Sequence, residues 1–76
     1  MEDLKQLANS DKSWAATRAQ LAIKFCELHD NNQINTSEYQ ELLQDLIRTD
    51  VLESEADDIE TKALLVSAIT TLSKLV

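Results

Sequence analysis

Glycine and proline are both missing from this 76-residue chain. Average usage would supply about nine of them, at roughly 7% and 5%. Glycine serves positive-φ turns and close approaches of the backbone, and proline serves fixed kinks. Without them there is no glycine-built phosphate loop, no nucleophile elbow and no glycine hairpin turn. The chain should be helices joined by turns that Asn, Asp and Ser can make. Cysteine is nearly absent as well: Cys26 stands alone, so no intrachain disulfide can form, and a reducing compartment fits. The longest unbroken apolar run is Ala63-Leu64-Leu65-Val66, far short of the ~20 residues a bilayer span needs. No signal-peptide pattern opens the chain. The expected setting is the cytoplasm, without membrane contact.

What is present is one small domain, residues 1–76, that buries only a little over ~60% of its exposable surface on folding. With no covalent staple, a core of this size favours a partner or self-association. Net charge is −7 and is unevenly spread. Residues 1–25 carry four cations (Lys5, Lys12, Arg18, Lys24) against three acids. Residues 26–61 carry eleven acids against Arg48 alone, and Lys62 and Lys74 follow. A negative field over half the molecule repels phosphate backbones, attracts basic partners and maintains solubility.

Apolar spacing predicts an all-α, four-helix bundle over about 2–9, 11–30, 36–49 and 55–74, with no strands. In the first helix Leu4, Leu7 and Ala8 share a face. Ser10 or Asp11 can cap the second, whose stripe runs through Trp14, Leu21, Ala22, Phe25 and Leu28, widened by Ala15, Ala19 and Cys26. Arg18 falls inside that stripe. It either snorkels, or pairs with an acid of the third helix, or presents its guanidinium beside Trp14 to a ligand. Asn35 and Glu38 form a capping box for the third helix, with Ile34 and Tyr39 as a hydrophobic staple. Its core side reads Tyr39, Leu42, Leu43, Leu46, Ile47. The fourth helix starts between Ser54 and Asp58 and is apolar around most of its circumference. Only Glu60, Ser67, Thr71 and Lys74 make a consistently polar stripe. Such a helix is central to a bundle, or offers a surface to a partner or a second copy.

Candidate chemistry is sparse. Glu27 to Glu38 has the length of a calcium loop, but its third position is His29 and its sixth, where glycine belongs, is Asn32. Starting at Asp30 instead leaves Glu38 too close. Cys26 and His29 lie one helical turn apart, yet zinc needs three or four ligands and the chain has no second Cys or His. A bundle this small rarely encloses a catalytic cleft. No catalytic residue, metal or cofactor is therefore expected. A modest cationic face through Lys12, Arg18, Lys24, Lys62 and Lys74 would support weak, salt-sensitive contact with single-stranded or branched DNA. The alternative is an acidic face through Glu41, Asp45 and Glu53 that captures a basic protein or mimics DNA.

In size, acidity and order of short helices, Phe25–Leu46 (Phe-Cys-Glu-Leu-His-Asp through Tyr-Gln-Glu-Leu-Leu-Gln-Asp-Leu) and Ala63–Val76 prompt a comparison. The chain resembles the small accessory proteins encoded beside the UvsW recombination helicase of T4-type bacteriophages. The likeness spans the whole chain but rests on length and pattern, with no motif residue to carry over. It implies a four-helix module similar to the helical nucleic-acid-binding domain that ends RecQ-type helicases. It also implies a role in phage DNA recombination and repair within the host cytoplasm, through DNA or a DNA-processing protein. The acidity of residues 26–61 argues against DNA contact by that half.

Overall fold

Flanking residues set several of the helix ends directly. The computed structural model describes residues 2–48 and 57–74, and these form four α-helices and no strand: α1 Glu2–Ala8, α2 Ser13–Asp30, α3 Thr36–Leu46 and α4 Ile59–Lys74. The all-α architecture expected from the missing glycine and proline is what the chain adopts.

Helix α2 starts two residues later than its expected start at 11. Lys12 occupies the N-cap and has no side chain able to accept a hydrogen bond there. Ser10 accepts instead from the Lys12 amide, at 3.1 Å, and so shapes the approach rather than the cap. The far end of α2 is a Schellman motif. The Gln33 amide donates to the Leu28 carbonyl and the Asn32 amide to that of His29. Asn32 takes the left-handed conformation, φ 60°, that glycine usually fills.

Helix α3 opens on the predicted capping box. The Glu38 amide donates to Asn35 Oδ1 at 2.8 Å and the Asn35 amide to Glu38 Oε1 at 3.3 Å. It ends at Leu46 rather than 49, as the Ile47 amide turns back to the Gln44 carbonyl; Thr49 lies outside the described residues. Helix α4 starts at Ile59, not 55. Asp58 is its cap, accepting from the Thr61 amide at 3.2 Å, and that bond holds the Asp58 carboxyl below its usual range. Residues 55 and 56 of the predicted span lie outside the described residues.

The core joins Leu4 and Leu7 of α1, Ala15, Ala19 and Ala22 of α2, Tyr39 and Leu43 of α3, and Leu65, Ile69 and Leu72 of α4. The buried line of α2 is turned away from the expected one. Leu21 is 37% exposed and Phe25 and Leu28 are only half-buried, whereas the three alanines are fully covered. Small side chains let neighbouring helices approach, so the large residues of the other helices fill the space over α2. Both α2 and α4 touch all three other helices. Yet α4 is not enclosed, because Ile59 (85%) and Leu64 (40%) face solvent beside its polar stripe. None of the described helices is long and apolar enough to cross a membrane.

Candidate functional site

Trp14 and Arg18 sit one turn apart on α2, where the ends of α3 and α4 converge. The Trp14 indole Nε1 donates to Asp57 Oδ1 at 3.1 Å, and the other oxygen of that carboxylate lies 3.7 Å from Lys12 Nζ. A single carboxylate just before α4 thus ties down the start of α2. Both ion-pair partners are substantially exposed, so the hydrogen bond to the indole matters more than the charge attraction.

Arg18 is 9% exposed. Its Nε donates to the Leu46 carbonyl and its Nη1 to the Trp14 carbonyl, each at 3.1 Å. Leu46 is the last residue of α3, and its carbonyl has no acceptor role left within that helix. The guanidinium therefore caps α3 from α2 and meets the negative end of its dipole. Of the alternatives open for Arg18, contact with the third helix is made, through the main-chain carbonyl of Leu46.

Beside this junction lies an open groove of about 360 Å³, walled by Trp14, Thr17, Leu21, Asp45 and Leu46 with Arg18 at its floor. Leu21 and Thr17 are exposed on its α2 side and Asp45 on its α3 side. Asp45 also ends a line of outward carboxylates, Glu38, Glu41 and Asp45, spaced at about one-turn intervals along α3. Arg48 approaches Asp45 at 3.8 Å, both groups well exposed.

The five expected cations meet different fates. Lys12 is engaged by Asp57 and Arg18 by two carbonyls; Lys24 and Lys74 are exposed, and Lys62 is half-buried near the start of α4. Of the alternative acidic set, Glu41 and Asp45 are exposed, and Glu53 lies outside the described residues.

Cys26, His29 and Tyr39 form a second cluster where α2 meets α3. The rings of His29 and Tyr39 stack at 4.6 Å, inclined by 12°, and His29 Nε2 lies 3.1 Å from Thr36 Oγ1. Burial pushes the Tyr39 phenol well above its ordinary pKa, helped by its hydrogen bond with Cys26 and by the nearby Asp30 charge. These groups bind one another. Glu27 and Asp30, the outer candidates for a calcium loop, are in α2, and Glu38 is spent on the capping box. No group of three or more His, Cys, Asp or Glu side chains among the described residues is placed to hold a metal ion.

The comparisons are silent: no family model matches the chain, and neither a curated protein nor a solved structure does. The groove escaped sequence reading because Leu21 counts as core by spacing. The one available hint was that Leu21 lies at the edge of the α2 stripe, next to the polar Thr17.

Proposed function

We propose that this chain is a non-enzymatic accessory module that works by binding, in the setting of DNA recombination and repair that its resemblance implies. Within that setting its contact is with a basic protein surface, met by the acidic side of α3. The exposed carboxylates along α3 support this reading. Lys12 is engaged by Asp57 and Arg18 by two main-chain carbonyls, while Glu41 and Asp45, with the capping Glu38 before them, lie exposed along α3. A line of exposed carboxylates steers a cationic partner and repels phosphate.

Amide-shift titrations at low salt test the proposal, with oligolysine in one arm and single-stranded or branched DNA in the other. The expected result is salt-sensitive movement of Glu38, Glu41 and Asp45 with oligolysine, abolished in the Glu41→Lys, Asp45→Lys double variant. DNA should leave the spectrum unchanged. Shifts centred on Lys24, Lys62 and Lys74 upon adding DNA would replace this reading with direct nucleic-acid binding.

A further inference from the structure

The geometry points to a defined occupant for the α2–α3 groove: a basic amphipathic helix of a partner protein, seating one bulky apolar side chain between Trp14 and Leu21. This inference deepens the acidic-face reading and rests on it. Three observations select the occupant. The groove, at about 360 Å³, is at the small end of the ~300–1,000 Å³ typical of ligand clefts. It is also open, and two of the guanidinium donors at its floor are given to the Leu46 and Trp14 carbonyls. That suits a single apolar anchor better than an enclosed, polar small molecule.

Charge complementarity supplies the second observation. Asp45 is at once a wall of the groove and the end of the carboxylate line that continues through Glu41 to Glu38. An occupant helix lying along α3 with cations at i and i+4 from its anchor would meet carboxylates at matching intervals, since both helices advance about 5.4 Å per turn. The third observation is architectural. The groove runs between two helices and the described residues contain no strand, so no sheet edge is offered to an extended peptide; a helix laid along α3 matches this setting. Leu21 and Thr17, both exposed, are the α2 contacts, and Asp45 is the hinge between apolar and electrostatic recognition.

Trp14 is the chain's one tryptophan, so its emission reports the groove directly. The full chain is titrated with a designed amphipathic helix of Leu and Lys, and with a scrambled peptide of the same composition. We expect a saturable change in Trp14 emission with the amphipathic peptide and at least ~tenfold weaker binding of the scrambled one, about 1.4 kcal/mol. Leu21→Lys and, independently, Thr17→Lys should each weaken binding to a similar extent while leaving far-UV dichroism unchanged. Equal binding of both peptides, or full affinity in both folded variants, would overturn the groove assignment. The acidic-face reading is judged separately by oligolysine and the Glu41→Lys, Asp45→Lys variant. If that arm succeeds while the peptide arm shows no groove dependence, only this inference falls.

Discussion

Replacing Arg18 by methionine tests the central joint of the fold. Methionine keeps most of the apolar stem and removes the donors to both carbonyls, so the Leu46 carbonyl loses its cap while the Trp14 carbonyl keeps its place in the α2 ladder. Hydrogen bonds to charged groups contribute about 1.5–3 kcal/mol. Against this, the variant no longer desolvates a guanidinium, and the open groove lets water reach the abandoned carbonyl. The balance should be a loss of about 2 kcal/mol. For 76 residues, total stability of ~4–11 kcal/mol is expected at ~0.05–0.15 kcal/mol per residue, so that loss is a large share. It corresponds to a fall of roughly 8–16 °C in melting temperature. Urea unfolding followed by Trp14 emission and by dichroism should show a lower midpoint with an unchanged slope. Arg18→Lys, which keeps the charge but cannot bridge two carbonyls with the same fork, should recover only part of the loss. An Arg18→Met protein as stable as the parent would refute the capping role and return the guanidinium to the list of ligand-binding groups.

Four other outcomes follow from the structure. Asn32→Ala should cost about 1–2 kcal/mol in urea unfolding, because a Cβ without a local hydrogen-bonding group is disfavoured at φ 60°, whereas Asn32→Gly should be neutral or stabilising. Asp57→Asn, which retains an oxygen acceptor for Trp14 Nε1, should change stability by less than ~1 kcal/mol, and Asp57→Ala should cost more. The Asp58 carboxyl is depressed chiefly by its bond from the Thr61 amide. Its contribution is therefore present above the unfolded pKa near ~4 and lost as pH falls through the lower folded value; the stability gap between parent and Asp58→Ala should narrow in acid denaturation over that range. Tyr39, the chain's one tyrosine, is shifted the other way, so its stabilisation holds below the unfolded pKa of ~10 and fades as pH rises above it. Phenolate absorbance should appear together with loss of helical dichroism, and phenolate forming in a still-folded chain would count against its burial.

The parts of the fold governed by neighbouring residues were legible in the sequence. Asn35–Glu38 is a local device, and it forms as read. The outward stripe of Glu60, Ser67, Thr71 and Lys74 follows from helical periodicity and is exposed as expected. Most of what failed depended on distant partners. The turned face of α2 reflects the preference for packing over Ala15, Ala19 and Ala22, a choice made by α1, α3 and α4 together. The start of α2 moved because Lys12 stands where a capping side chain was needed. At the candidate site, the outward acids were readable from spacing and charge. The Asp57 clamp links residues 43 apart in sequence, and the groove needs the end of α3 to lie over Thr17 and Leu21, which no local pattern specifies.

A chain without glycine must still finish its helices; α2 does so through Asn32, and at the other three the finishing is shared with neighbours. Gln20 of α2 donates to the Ala8 carbonyl at the end of α1, Arg18 of α2 to Leu46 at the end of α3, and Gln40 of α3 to Ser73 at the end of α4. Helix length is therefore a property of the assembled molecule. Separating α1 from α2, or α4 from α3, would release these carbonyls to water, so fraying of one helix is coupled to the loosening of another. Native-state hydrogen exchange should then show the last turns of α1, α3 and α4 opening with the global transition rather than ahead of it. Evolution of such a chain is constrained accordingly: a long polar side chain on the flank of one helix is tied to the stopping point of the next.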